Sequence, residues 1–339
     1  MGQQIAESSI VEAIRRRAEP GEIVVARHLA GLRSSTPHAR RYPIGRLATA
    51  SYRSARRYGA LAYRTRGMVH RFDLRLPPYP GVEILTIHDL PPFRFDDEGE
   101  LPASAAQGAR DASAVIAPSE FAAAEVTELL ALDPSRVSVV PNGVGVEFGT
   151  AIPPDRDLLA AIGIASQRYV LHTGGATKRK NLGALAAAWR AVADREPDVG
   201  LCLVGPRDPR RDEAFRGLSR VHIVDHQPPA VIARLMAGAA AVVVPSRYEG
   251  FGLPALEAMA SGVPVVASNA GALPEVCGDA ALLVDPEPAP LGEAIIAVLS
   301  PDSPIAARLR QAGPARAARF SWDTAAVAYL DIYRRNNKK

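Results

Sequence analysis

The sequence predicts an α/β protein of the doubly wound kind, organised as two domains. Three observations carry this. Short β-branched or apolar runs alternate with longer Ala/Leu-rich stretches of helical periodicity, the pattern of parallel sheets covered by helices. Nearly every such run is followed within a few residues by Gly, Pro, Ser or Asn. In doubly wound folds the carboxyl ends of strands line the ligand crevice, so function is to be sought in those loops. Finally, 339 residues amount to about two domains at roughly 150 residues each.

Taken in order, the chain opens on a helical pattern from Ile5 to Arg17. The expected strands are Val82 to Ile87, Ala114 to Ala117, Val137 to Val140, Tyr169 to His172, Leu201 to Val204, Val221 to Val224, Ala241 to Val244 and Val263 to Ala267. Ser119 stands where a helix N-cap is expected, and Asn142 with Gly143 reads as a tight turn. The stretch Gly149 to Ser166, with Pro153 and Pro154, reads as an interdomain connection, which sets the domains at 1–150 and 151–320. The last element, 321–339, contains FSWDTAAVAYLDIYRR. Ser321 is its expected N-cap and Asp323 lies in its first turn, while Trp322, Ala326, Tyr329, Leu330 and Tyr333 share one face.

A composition of 47% hydrophobic and 22% charged residues is that of a globular chain and argues against large-scale disorder. The longest apolar run, Leu235 to Val244, is too short to cross a bilayer, and the start MGQQIAESS has no signal-peptide apolar region, so a cytoplasmic chain is expected. Cys202 and Cys277 lie far apart without CxxC spacing and are expected as small buried residues, not zinc ligands or a disulfide framework. The net charge of +4 hides an asymmetry. Residues 1–80 hold 15 Arg, no Lys and five acids, so this quarter carries +10 and the rest −6. Between Arg33 and Arg75 the arginines are interleaved with Tyr42, Tyr52, Tyr58, Leu61 and Tyr63. Such a segment suits an amphipathic element on an anionic bilayer, at the inner membrane face; a solvated arginine face is the bland alternative. No nucleic-acid module accompanies the charge, and no nucleic acid is expected as a partner.

The sharpest local signal is AVVVPSRYEGFGLPALEAMASGVPVVAS, residues 241–268. It reads as a strand, a glycine-punctuated loop, a helix opened by Pro254 and closed at Gly262, and another strand. Gly250 and Gly252 let the backbone approach a ligand, and the amides of Phe251, Gly252 and Leu253 converge at the positive end of the helix, a phosphate cradle. Glu249 in the loop and Glu257 in the helix, with seven residues between them, can reach one bound molecule. The alternative reading leaves Glu257 to complement the helix dipole and Glu249 to solvent.

The pair Glu249 and Glu257 within PSRYEGFGLPALEAMASGVPVVAS, followed by LPEV and GDAALLVDP, resembles family four of the retaining nucleotide-sugar glycosyltransferases of GT-B fold. The resemblance implies two Rossmann-like domains facing across a cleft. It also implies that Glu249 faces the donor sugar, that Glu257 holds the nucleotide ribose, and that the amides between them bind the diphosphate. YVLHTGGATKRKNL resembles the family's "KN" segment, whose Lys contacts the diphosphate: Lys180 is the first choice and Arg179 the second, beside Gly174 and Gly175. Many relatives carry an Arg where this chain has Gly175, and Arg179 is expected to stand in for it. TIHDLPPF resembles the "HD" loop, which makes His88 a donor-facing residue of the opposite domain. Ser119, Asn142 and the terminal "FSW" helix have counterparts in the family, where that helix crosses back onto the first domain. The departure is at the start, where family members have a strand and a Gly-containing loop and this chain has a helical pattern.

The implied reaction moves a hexosyl group from a nucleoside diphosphate sugar to an acceptor hydroxyl with retention, the leaving phosphate serving as base, and without a metal or other cofactor. Similarity to mannosyltransferases that build surface polysaccharides suggests GDP-mannose as donor and a glycan or lipid-linked acceptor. Two alternatives stand beside it: a UDP-sugar donor, and a nucleotide-sugar-binding protein without transferase activity. A membrane-surface or scaffold protein is a third. Asp155-Arg156-Asp157 spells a DxD but sits in the expected connection and is discounted; the G-x-G-x-x-G and Walker sequences are absent.

Overall fold

The computed structural model describes residues 2–19, 29–31, 40–42 and 47–337. Of the arginine-rich stretch from Arg33 to Arg75, residues 33–39 and 43–46 lie outside the described residues. The chain divides into two compact units, one of residues 2–143 with 322–339, the other of residues 144–321. It therefore leaves the first unit at Gly143 and returns at Trp322, where the sequence placed boundaries at 150 and 321.

In the first unit, β3 (Val69–Arg71), β4 (Glu83–Thr86), β5 (Ala114–Ala117) and β6 (Val137–Val139) form a parallel sheet in that order. Successive side chains of a strand point to opposite faces. Ile84 and Ile116 accordingly enter one layer with Ile10 and Ile14 of the helix Gly2–Arg17 and Tyr329 and Leu330 of the helix Trp322–Asn337. Leu85 and Val115 enter the other layer, with Ala109 of the helix Ala105–Asp111 and Val126 and Leu130 of the helix Glu120–Leu130. The opening helix precedes every strand and packs on the closing one. Two short segments, β1 (Leu29–Gly31) and β2 (Arg40–Tyr42), pair in parallel as a separate two-stranded sheet.

The second unit is a six-stranded, all-parallel sheet. Its strands are β7 (Arg168–Thr173), β8 (Val199–Val204), β9 (Val221–Val224), β10 (Ala241–Val244), β11 (Val265–Ser268) and β12 (Leu282–Val284), in spatial order β12-β11-β10-β7-β8-β9. This is the doubly wound order with its reversal between β7 and β10. One face buries Val170, Leu201, Leu203 and Val243 under the helices Leu182–Arg195 and Pro288–Leu299, with Trp189 fully buried between them and its indole N–H donating to the Ser219 carbonyl at 3.0 Å. The helix Leu253–Ala260 packs on β10 and β11 and against the helix Pro304–Ala317. There a Cβ on Gly313 would stand 3.0 Å from the Met259 carbonyl oxygen, so these helices touch backbone to backbone.

Two local expectations are corrected. Residues 141–145 contain no turn; Asn142 and Gly143 lie in irregular backbone where the chain leaves the first unit, and the Val144 amide donates to the Phe320 carbonyl instead of closing a local hydrogen bond. The segment 149–166 is not a linker outside both units but part of the second one. It contains the helix Arg156–Ala161, whose N-cap Asp155 accepts from the Leu158 amide at 2.8 Å, so the DxD aspartate is spent on capping. Both cysteines are buried free thiols, and burial raises each to about 12.

Candidate functional site

The reversal of strand order puts the loops after β7 and β10 side by side, and the sequence loads these two loops with charge. The β7 loop runs through Gly174 and Gly175 into a single 3-10 turn, Lys178–Lys180. The β10 loop carries Ser246, Arg247 and Glu249 into the helix Leu253–Ala260. They are stitched together by the Arg247 amide, which donates to the Arg179 carbonyl at 2.8 Å. Asn181 adds a second stitch. Held at φ +56°, a conformation Asn tolerates, it donates its buried amide to the carbonyls of Pro245 at 3.0 Å and Pro286 at 2.7 Å.

Glu249 is buried at this junction. Lys180 Nζ lies 2.6 Å from its Oε1, Arg179 approaches Oε2 at 3.4 Å, and the Ser246 hydroxyl donates to Oε1 at 2.7 Å. Burial pushes this carboxyl up, but the two cations and two hydrogen bonds outweigh it and hold it at about 2. The group is thus a fixed anion in a ring of donors. From behind, the loop after β11 supports it: the Ala272 amide donates to the Glu249 carbonyl at 2.9 Å, and a Cβ on Gly271 would stand 2.7 Å from the Glu249 backbone nitrogen and oxygen.

Beside Glu249 the helix Leu253–Ala260 begins without a side-chain cap. Gly252 takes φ +101°, and a Cβ there would meet Leu273 Cδ2 at 2.7 Å. Among the described residues, the amides of Phe251, Gly252 and Leu253 have no hydrogen-bond partner. Three donors at the positive end of a helix dipole form a cradle for an anion. Gly250 shares this loop, while the Phe251 ring is buried edge-on against Phe320. Glu257, further along the helix, is the electrostatic opposite of Glu249. Its carboxyl is buried without a hydrogen-bond partner among the described residues, and burial, with Glu147 nearby, raises it to about 8. The site therefore presents one ionised carboxylate, one neutral carboxylic acid, two cations and a set of free amides.

On the β7 side, Gly174 donates its amide to the Val204 carbonyl at 3.0 Å, and its own carbonyl accepts from the buried Arg211 guanidinium. A Cβ on Gly175 would meet nothing within 4 Å, so the position is open and a larger side chain would have room. His172 lies beneath. Its Nδ1 is 3.0 Å from the Val243 carbonyl, its buried Nε2 has no partner among the described residues, and burial lowers it to about 4, so it is neutral at pH 7.

With this geometry in hand, comparison with known proteins is decisive. Residues 167–301 match the family described as glycosyl transferases group 1, and residues 22–148 match glycosyltransferase family 4. The chain is 33% identical over 260 residues to the D-inositol 3-phosphate glycosyltransferase of Segniliparus rotundus, covering 71% of this chain and 55% of that protein. It is 28% identical over 273 residues to O-antigen chain mannosyltransferase B of Escherichia coli, covering 78% of this chain and 71% of that protein. The fold matches sucrose-phosphate synthase of Thermosynechococcus elongatus with TM-score 0.72 at 24% identity, over 99% of this chain and 93% of that one. The chain belongs to the family-four-like glycosyltransferases of GT-B fold. The matched stretch spans little more than half the length of the Segniliparus relative.

Within this glycosyltransferase-family chain, the sequence-derived candidates fall into two groups. Glu249, Glu257, Lys180, Arg179, Gly174, Gly175 and the 250–253 loop all belong to the second unit. His88, Ser119 and Asn142 belong to the first. His88 follows β4; its Nε2 is buried without a partner among the described residues, and burial lowers it to about 4. Ser119 caps the helix Glu120–Leu130, accepting from the Ala122 amide at 3.0 Å, and Asn142 is buried. Sequence reasoning missed Ser246, Asn181, Gly271, His172 and Arg211. Ser246, Asn181 and His172 lie inside the quoted motifs, but nothing in the motifs themselves says what their side chains touch. Gly271 and Arg211 act through neighbours distant in sequence and have no local signature.

Proposed function

We propose that this protein transfers a hexosyl group from a nucleoside diphosphate sugar to an acceptor hydroxyl, with retention at the anomeric carbon. The observation that carries the reading is the Glu249 cluster, an ionised carboxylate held by Lys180, Arg179 and Ser246 beside an uncapped helix N-terminus. A diphosphate in that cradle meets free amides and two cations, which balance the charge that grows as the bond from the anomeric carbon to the phosphate oxygen breaks. The acceptor oxygen bonds to the same face of that carbon, and its proton passes to the departing phosphate. Glu249 positions the sugar by accepting from its hydroxyls. Glu257 receives the ribose hydroxyls. His88, on the resemblance alone, is a donor-facing residue, and His88→Ala is expected to lower kcat.

The chain's own cations supply the charge balance, so activity is expected to persist in EDTA. GDP-mannose is the proposed donor, supported by the mannosyltransferase relative; UDP-sugars are the alternative. A glycan or lipid-linked acceptor, and a cytoplasmic site at an anionic membrane, complete the reading. The open position at Gly175 favours a second reading, donor binding without transfer. Thermal shift across GDP-mannose, UDP-glucose, UDP-N-acetylglucosamine and the free nucleotides, with and without metal, identifies the donor by mass action. Donor turnover followed by NMR then tests the reaction. From an α-linked donor, an α-linked product supports transfer with retention and slow release of free sugar supports a site that cleaves its donor; a donor-dependent shift with neither supports the binding-only reading; an inverted product overturns retention.

A further inference from the structure

We infer that the outward face of the helix Tyr52–Tyr63 is a docking surface for an anionic lipid bilayer. This deepens the membrane partner named in the reading above, and it rests on separate observations. From Ile23 to Phe72 the sequence holds eleven arginines, no lysine and no acid. Within that window Arg53, Arg57 and Leu61 recur four residues apart and Arg64 follows at the C-cap, so they share one helix face. All four are exposed, Leu61 at 71%. Arg53, Arg57 and Arg64 form no ion pair among the described residues.

The opposite face explains why this one points outward. Ala55, Gly59, Ala62 and Tyr63 are buried. A Cβ on Gly59 would overlap the Pro78 carbonyl oxygen, and the Tyr63 hydroxyl donates to the Pro77 carbonyl at 2.7 Å. The helix itself carries no acid; the Tyr52 hydroxyl in its first turn donates to Asp111 of the helix Ala105–Asp111 at 2.5 Å, and among the described residues the arginine stripe has no ion-pair partner. Packing thus fixes the roll of the helix, and its free side combines cations with an exposed leucine. That combination fits a surface with negative headgroups over hydrocarbon, into which the leucine inserts while the guanidinium groups stay at the phosphates. A single-stranded nucleic acid would instead ask for aromatic stacking platforms, and this stripe consists of three arginines and a leucine. No described helix is long and apolar enough to cross a membrane, so the contact is peripheral.

Co-sedimentation of the full chain with vesicles tests this without donor or acceptor. Binding is expected to phosphatidylglycerol-containing vesicles, to be lost with phosphatidylcholine alone, and to weaken as salt rises. The combined variant Arg53→Gln, Arg57→Gln, Arg64→Gln should bind roughly 100-fold more weakly, from about fivefold per cation near an anionic surface. Leu61→Asp should weaken binding separately, and unchanged melting of both variants keeps the comparison on the surface. Undiminished binding by the triple variant, equal binding to neutral vesicles, or tighter capture by poly(U) RNA than by anionic vesicles overturns the inference. Glu249→Gln should bind vesicles like the wild type, so a failure of the transfer reading and a failure of this one are read apart.

Discussion

Glu249 and Glu257 are both buried carboxyls, and their surroundings drive them in opposite directions. The Glu249 carboxyl, at about 2 against an ordinary 4.5, contributes stability that is present above about pH 4.5 and lost as pH falls through 2. The difference is on the order of 3 kcal/mol. Lys180→Met should therefore destabilise the fold at neutral pH by about 3 kcal/mol or more, since it leaves a buried anion with a weaker partner set; urea unfolding measures it. Glu257, raised to about 8, behaves inversely: its contribution is full below about pH 4.5 and is lost as pH rises through 8. Glu257→Gln should flatten the decline in stability between those limits while weakening nucleotide binding. If ribose hydroxyls donate to Glu257, binding favours its ionised form. Titration calorimetry in buffers of different ionisation enthalpy should then find proton release on nucleotide binding at pH 7. Glu249→Ala, by contrast, should lower turnover more than nucleotide affinity, and similar nucleotide affinities for both variants and wild type would sink the division of roles.

The elements around these residues act by holding loops in register. Asn181 ties the β10 and β12 loops to the β7 loop through two carbonyls. Asn181→Ala leaves both without that donor, at a cost of about 1–3 kcal/mol. Gly271→Ala combines a positive φ of 60° with a Cβ pressed on the Glu249 backbone. We expect kcat to fall roughly 10- to 100-fold, because a small displacement of a positioned group is enough to misalign it, with a smaller change in nucleotide affinity. Gly252→Ala meets Leu273 at the mouth of the amide cradle and should weaken nucleotide binding first. Isothermal titration and steady-state kinetics on the two glycine variants separate these outcomes. Gly252 was legible because its loop precedes a helix whose start is marked by Pro254. Gly271 was not, because the backbone it touches belongs to another strand's loop and the requirement exists only once β10 and β11 pair.

Across the whole molecule, the closing helix Trp322–Asn337 belongs to the unit in which the chain begins. Tyr329 packs in the layer between that helix, the opening helix and the sheet, with its hydroxyl 3.2 Å from that of Thr86. Tyr329→Ala is expected to cost about 3–5 kcal/mol, by analogy with large-to-small core substitutions, and to expose the 2–143 unit to limited proteolysis. Eight of the strands, the opening and closing helices and the Glu249–Glu257 pair were legible in the sequence. Each depends on periodicity, capping residues and spacing within one short stretch. The strands Leu29–Gly31, Arg40–Tyr42, Val69–Arg71 and Leu282–Val284 were not: each has only three residues, and Val137–Val139, equally short, was legible only through the run Val137 to Val140 that ends at Pro141. The sequence by itself determined which residues carry charge, where strands end in loops, and that two carboxylates stand with seven residues between them. Only the tertiary structure decided that Glu249 gains two cations while Glu257 gains none, and that the chain changes units at Gly143 and Trp322. Ionisation and domain membership depend on burial and on partners brought in by strand order, and neither is a property of neighbours along the chain.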